Sequence, residues 1–456
     1  MESLMKQLEA INQVLWGPVM LIVLLGTGVL FTLRLRFIQI RKLKEMFKQI
    51  FSRPTKEREE LGLSSFQSLS TAIAGQVGTG NLAGVATAIV AGGPGSIFWM
   101  WISGFFGMGT IFAEAVLGQL FNKNKNGELV GGPAYYLRYG LKSKMLAAFF
   151  AISIVFALGF MGNMVQSNSI ALAVNNAFNI PKIIIGVIVA ALAGLILIGG
   201  VKRIGAFTEK IVPFMAALYI LGGIAILVIN HENILPALKM IFYGAFNPKA
   251  ATGGLIGATV KETLRYGIAR GLFSNEAGMG STPHAHAVAK VDHPVQQGLV
   301  SMLGVIIDTG IVCTITALVI LTTGAFETGL TSSELTQQGF RLGFSNFGNF
   351  GLYFIAVALF FFAFSTIIGW YFFGELNIKY LFGKGGVKYY RYLVLLCIVL
   401  GTLLEVDLVW ALADVFNALM IIPNLIALVG LSNLVVKSVK EYSFKEEKEE
   451  NVSKTS

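Results

Sequence analysis

The chain has 456 residues, 55% of them hydrophobic and 13% charged, with a mean hydropathy of +0.70, which excludes a soluble domain and indicates a helical protein crossing a membrane many times. A β-barrel is excluded as well, because the apolar segments run for about 20 residues without the alternation that a barrel strand needs. The formal charge of +10 is concentrated in loops, so it reads as a topology signal rather than as a footprint for nucleic acid.

Taken in chain order, apolar runs of spanning length fall near 12–33, 66–91, 95–121, 146–177, 182–200, 207–230, 252–290, 296–324, 347–376, 391–405 and 408–436. The expectation is an all-α integral membrane protein of about 11 transmembrane helices. Residues 1–33 hold a peripheral first span; no small-residue cleavage site follows it, so it is not read as a signal peptide. Residues 34–64 interleave basic residues with Phe37, Ile38, Ile40, Leu43, Met46, Phe47, Ile50 and Phe51, the pattern of an amphipathic helix on the inner leaflet. Ten core helices follow, five in 65–230 and five in 252–436, and a charged tail occupies 437–456.

With the N-terminus outside, the loops of one side and the tail carry most of the lysine and arginine, whereas the opposite loops hold only Lys6, Lys182, Lys239, Lys249 and Arg341. The basic side belongs in the cytoplasm. Cys313 and Cys397 both lie inside apolar runs and read as small buried residues.

Two core helices are interrupted. Gly75-Gln76-Val77-Gly78-Thr79-Gly80-Asn81 lies in the first helix of the first half, and Gly271-Leu272-Phe273-Ser274-Asn275-Glu276-Ala277-Gly278-Met279-Gly280-Ser281 in the first helix of the second. Glycine clusters let a helix unwind, and unpaired backbone groups are tolerated in a bilayer only where they line a cavity. Five helices per half make the halves run oppositely, so the paired breaks read as an inverted repeat with a substrate site at mid-membrane.

The half-helix beginning near Thr79 to Asn81 presents free N–H groups suited to a carboxylate, and the one ending near Ala74 to Val77 presents carbonyls suited to sodium. Ser365 and Thr366 offer hydroxyls to the same ion, with Trp370 one turn on. Asn163, Gln166 and Ser167 share one face of the third core helix. Candidate substrate contacts are therefore Gly78, Thr79, Gly80, Asn81, Gln166, Phe273, Ser274, Asn275, Glu276, Gly278, Thr366 and Trp370; candidate sodium ligands are Ala74, Val77, Ser365 and Thr366. Glu276 has three open roles: receiving an ammonium, binding a cation, or pairing with Arg265 or Arg270. Asp308 and Asp414 are further intramembrane candidates, and Glu114 lies nearer a helix end. His284, His286 and His293 line the inner mouth rather than form a metal site, since His-x-His on a helix points its rings to different sides.

The stretch Ala91-Gly92-Gly93-Pro94-Gly95-Ser96-Ile97-Phe98-Trp99-Met100-Trp101-Ile102-Ser103-Gly104-Phe105-Phe106-Gly107-Met108 is similar to the signature of the alanine or glycine:cation (sodium:alanine) symporter family. Gly80 to Val85, Phe273 to Ser281 and Pro283 to Ala287 also resemble that family, and the likeness covers all but the charged tail. The resemblance implies the five-plus-five inverted repeat of bacterial leucine transporters and sodium-coupled import of alanine or glycine through the cell membrane. No organic cofactor is implied, and the partners are a small neutral amino acid, sodium and the lipid bilayer. A proton-coupled carrier is the alternative; a channel or a membrane-embedded enzyme fits less well, because no filter-like loop and no nucleophile with its base is visible.

Overall fold

The computed structural model of the chain describes residues 2–52, 62–125, 127–247, 259–404 and 406–455. Arg53, Lys56 and Arg58 of the expected inner-leaflet segment, Lys249, and residues 252–258 of the expected second half lie outside the described residues.

Helices α1 (Glu2–Leu15) and α2 (Pro18–Arg34) together provide an apolar span, Met5–Arg34. A short turn leads to α3 (Leu43–Ile50), which buries Met46 and leaves Leu43 and Phe47 exposed beside its lysines. Next come α4 (Ser65–Gln76), a π-helical turn at Gly80–Gly84, α5 (Val85–Gly92) and α6 (Ser96–Leu120). After a hairpin of β1 (Lys123–Lys125) and β2 (Glu128–Val130) the chain forms α7 (Lys144–Phe178), α8 (Lys182–Leu197), α9 (Gly200–Ile229) and α10 (Ile234–Gly244). The second half holds α11 (Val260–Asn275), α12 (Pro283–Ala287), α13 (Pro294–Thr322), α14 (Ser332–Gly343), α15 (Phe350–Phe382), α16 (Lys384–Gly401), α17 (Val406–Gly430) and α18 (Ser432–Thr455).

Among the described residues seven helices are long and apolar enough to cross a membrane, or eight if α4 and α5, bent by 51° at their break, make one span. This is a multi-pass membrane protein. Helices also stand at the remaining expected positions, with reasons for missing the same standard: α8 has 16 residues, and α11 carries Lys261, Glu262, Arg265 and Arg270. Helices α10 and α14 stand where the sequence pattern predicts loop, and at 11 and 12 residues they are too short to cross.

Local chemistry starts α4 and α11 in the same way. The Ser64 hydroxyl accepts from Gln67 N–H at 3.0 Å while Gln67 accepts from Ser64 N–H at 3.1 Å; Thr259 and Glu262 repeat this at 3.2 and 2.7 Å. These capping boxes satisfy donors that the first helical turn leaves open. Small residues then bring helices together: at Gly267 of α11 a Cβ would lie 2.3 Å from the Ser96 carbonyl of α6, so only glycine permits that approach. Three π-helical turns, Gly80–Gly84, Val155–Gly162 and Ile306–Cys313, flank the region where the breaks meet, as such bulges often do at functional sites.

Candidate functional site

Helix α4 ends where two glycines weaken it. Val77 leaves the helical region with ψ 93°, and helical geometry resumes at Gly80. Gly78 has no room for a side chain, because a Cβ there would stand 2.5 Å from Thr366 Oγ1. Its N–H donates to Asn81 Oδ1 at 2.9 Å, and the Thr79 N–H points at Gln166 Oε1 at 3.4 Å. The Thr79 hydroxyl is buried with no hydrogen-bond partner among the described residues, a condition that costs about 1–3 kcal/mol unless a ligand relieves it.

The expected ion ligands separate. Thr366 donates to its own-helix Phe362 carbonyl at 2.9 Å and lies 3.3 Å from the Val77 carbonyl, so it does reach the break. Ser365 does not: its hydroxyl bonds the Phe362 carbonyl at 2.9 Å and faces Met215 Sδ at 3.1 Å on α9. Ala74 packs against α15, where a Cβ on Gly369 would be 3.3 Å from the Ala74 carbonyl carbon.

Helix α11 ends at Asn275, and Glu276 at φ +58°, Gly278 at +88° and Gly280 at +81° turn the chain back. Gln76 Nε2 of α4 donates to the Asn275 carbonyl at 2.7 Å, tying the two breaks together. Asn275 itself donates to Thr309 Oγ1 at 3.1 Å and accepts the Ala277 N–H at 3.1 Å. The amides of Gly278 and Gly280 donate to the Glu114 carboxylate at 3.1 and 2.9 Å, which also accepts from Asn424 Nδ2 at 2.6 Å. Tyr136 donates to Asn424 in turn. Gly278 is surrounded by Leu24, Thr110 and Leu425, so of the expected substrate contacts it stands apart from the first break.

Glu276 accepts from the Trp370 indole at 2.7 Å and from the Ser281 hydroxyl at 2.5 Å. The pairing with Arg265 or Arg270 is not formed: both arginines line a cavity instead. The Trp370 ring is wedged between Gly75 and Gly162, where a Cβ would come within 3.4 and 2.6 Å of it. His284 and His286 reach different neighbours, Asn377 at 2.8 Å and Gln297 at 2.9 Å, and His293 caps α13. Among the described residues no cluster of His, Cys, Asp and Glu is arranged to hold a metal.

The breaks meet at Gly80, whose missing Cβ would sit 3.7 Å from Ser274 Cα and 3.8 Å from Phe273. Asp308 joins them chemically, accepting from Asn81 Nδ2 at 2.5 Å and from Ser274 Oγ at 3.1 Å. A cavity of about 680 Å³ ends here, lined by Gly80, Phe273, Trp410, Arg270 and Asp414 among others. Phe273 and Trp410, with ring centroids 6.1 Å apart, stand together in that lining. Toward the other end, Leu63, which precedes α4, pairs with Ala289 after α12, through Leu63 N–H to Val288 O at 2.9 Å and Lys290 N–H to Leu63 O at 2.8 Å. Sequence reasoning missed Trp410 and Asn424 and underrated Glu114. A carboxylate among Phe112, Ala113, Ala115 and Val116 is the signal that could have found Glu114.

The structure resembles a manganese transporter of Eremococcus coleocola, with a TM-score of 0.54 at 16% identity over 81% of this chain and 78% of that one, a likeness of fold. In sequence the chain is 46% identical over 444 residues to the sodium/alanine symporter AgcS of Methanococcus maripaludis, covering 95% of this chain and 96% of that protein. It is 42% identical over 449 residues to the probable sodium/glutamine symporter GlnT of Bacillus subtilis, covering 97% and 92%. The model of the sodium:alanine symporter family matches residues 1–456. With two interrupted helices meeting at a buried polar junction, and a family match along the whole chain, this protein belongs to the sodium:alanine symporter family, whose members are transporters rather than enzymes.

Proposed function

We propose that this chain imports a small neutral amino acid, alanine or glycine, with sodium, by alternating access in the cytoplasmic membrane. The observation that carries the reading is the junction of Gly80 and Ser274 beside the two breaks, where a cavity lined by Gly80 and Phe273 ends next to the partnerless Thr79 hydroxyl. The substrate carboxylate takes the Thr79 to Asn81 amides, and its ammonium takes carbonyls around Phe273 and Ser274 with help from Gln166. Sodium sits between the carbonyls of Ala74 and Val77 and the Thr366 hydroxyl; Ser365 joins only after its hydroxyl turns away from Phe362 and Met215. The ten core helices form a five-plus-five inverted repeat beside the peripheral first span, eleven crossings in all. The N-terminus lies outside and the C-terminus in the cytoplasm.

A zwitterion carries no net charge, so one sodium moves one positive charge inward. About 100 mV contributes roughly 2.3 kcal/mol and a tenfold sodium gradient about 1.4 kcal/mol, which together allow accumulation of about 500-fold. A proton is the second reading for the coupling ion, favoured by the burial of Asp308 against both breaks. Purified protein in liposomes separates them: alanine uptake is expected to rise with an inward sodium gradient at constant pH. Uptake indifferent to sodium and driven by a proton gradient would overturn the sodium reading.

A further inference from the structure

Beyond the end of α6 the chain places cations over aromatic rings at matched spacings. Strand β1 turns Lys123 and Lys125 to one face, because alternate strand residues share a face at a repeat of about 6.7 Å. The short helix Pro133–Tyr139 starts from Gly132, at φ +115°, and Pro133. It brings Tyr135 and Tyr139 together, since helical residues four apart lie one above the other, about 6 Å along the axis. The two repeats fit: Lys123 Nζ stands 5.1 Å from the centre of the Tyr139 ring, and Lys125 Nζ 5.4 Å from that of Tyr135. Tyr380, in the last turn of α15, completes the floor with its ring 5.4 Å from that of Tyr135. The Arg138 guanidinium lies 5.5 Å from the Tyr139 ring and 5.7 Å from that of Tyr380.

Among the described residues none of these three cations has a carboxylate partner. Glu128, opposite Lys125 across the hairpin, reaches Lys379 at 3.3 Å and Lys384 at 3.6 Å instead, and Glu375 also holds Lys379, at 2.9 Å. Lys123, Lys125 and Arg138 thus face rings rather than carboxylates, a weak attraction at an exposed site. The Tyr135 hydroxyl is buried without a hydrogen-bond partner among the described residues, whereas such groups are nearly always paired. Unpaired positive charge beside an open donor is the complement of a phosphate. Leu120 at the end of α6, Phe382 at the end of α15 and Met145 at the start of α7 are all exposed. Large apolar side chains exposed at the ends of membrane-crossing helices belong at the hydrocarbon boundary, which favours a phosphate carried by a lipid over one dissolved in water.

We infer that Lys123, Lys125, Arg138 and Tyr135 form a headgroup site for an anionic phospholipid. The phosphate takes the ammonium and guanidinium donors and the Tyr135 hydroxyl, and the acyl chains run past Phe382. The site joins the hairpin after α6, the helix before α7 and the end of α15. A bound headgroup therefore fixes α15, the helix that carries Thr366 and Trp370, against the first half of the chain.

Binding is read without transport, on the purified full-length chain in detergent. Its melting temperature is followed while phosphatidylglycerol, phosphatidylcholine or potassium phosphate is added at equal phosphate concentration. Phosphatidylglycerol is expected to raise the wild-type melting temperature by at least about 3 °C, and the other two to leave it near its starting value. Lys123→Gln/Lys125→Gln, at two exposed positions, should raise the half-saturating phosphatidylglycerol at least about tenfold, and Lys123→Arg/Lys125→Arg should restore it. Lys202→Gln/Lys210→Gln removes two exposed charges from α9 and should change it less than about twofold. Arg138→Gln should weaken the lipid in the same sense as the lysine pair. The site is refuted if phosphatidylglycerol does not stabilise the wild type, or if the Lys123 and Lys125 glutamine pair responds as wild type does. An equal loss in the α9 pair refutes it as well, since charge anywhere on the surface would then suffice. A full shift from potassium phosphate alone overturns the lipid assignment in favour of a soluble anion, and an equal shift from phosphatidylcholine overturns the role of the cations.

Discussion

The two interrupted helices begin alike, on capping boxes at Ser64 and Thr259, but their breaks are finished in opposite ways. The second break is closed by protein: Glu114 and Asn424 take the amides and carbonyl of its reversal, and Glu276 is held by Trp370 and Ser281. The first is finished loosely. Thr79 N–H has only a 3.4 Å contact, and the Thr79 hydroxyl and Gln76 Oε1 are buried without partners among the described residues. Since buried polar groups are nearly always paired, the contrast argues that the second break is a rigid wall and the first is the edge that a ligand completes.

The largest expected effect tests the wall. Glu114→Ala leaves three buried N–H donors unpaired and should cost at least about 3 kcal/mol, Glu114→Gln about 1–3. Unfolding in detergent measures both, and an Ala variant as stable as wild type would mean that the second break stands without its anchor. Next comes the edge. Gly78→Ala places a methyl 2.5 Å from Thr366 Oγ1, whereas at Gly84, the far end of the π-helical turn that follows, a Cβ meets nothing within 4 Å. Overpacking of this kind costs about 1–3 kcal/mol, so Gly78→Ala should abolish most uptake at normal expression while Gly84→Ala keeps it. Equal uptake by the two variants would show that the first break tolerates filling.

A third test concerns selectivity. Phe273 at the cavity's end and Trp370 behind the break leave little room, so exclusion of leucine relative to alanine should be at least about tenfold. Competition assays on Phe273→Ala and Trp370→Ala should relax it. Phe273→Ala is the cleaner variant, because Trp370 also holds Glu276. If neither truncation improves binding of larger neutral amino acids in folded protein, the rings do not set the limit. The smallest contrast lies between adjacent hydroxyls. Thr366→Val should raise the sodium half-saturation several-fold, about 1 kcal/mol for a lost oxygen ligand, whereas Ser365→Ala should stay within about 0.5 kcal/mol of wild type. Sodium titration of uptake decides, and the reverse order would mean that Ser365 turns toward the ion.

Much of this molecule is legible in its sequence because the signals are local. Hydropathy over a window of about 20 residues marks the apolar helices, and the glycines at 75, 78 and 80 and at 278 and 280 mark where two of them break. Residue type also identifies Asn81, Ser274 and Asp308 as polar groups at membrane depth. What these groups touch is not legible. Glu114 meets Gly278 across 164 residues of chain, and Asn81 meets Asp308 across 227. Ser365 and Thr366 are neighbours in sequence, yet a helix turns by about 100° per residue, so one reaches Val77 and the other faces Met215. The π-helical turns at Val155–Gly162 and Ile306–Cys313 shift the facing of everything beyond them, with no marker in residue type. Composition and spacing thus determined that the chain spans a membrane and where its helices open. Only the packing of distant helices decided which open groups are tied down and which are left for a ligand, because pairing depends on rotation and approach that no local pattern records.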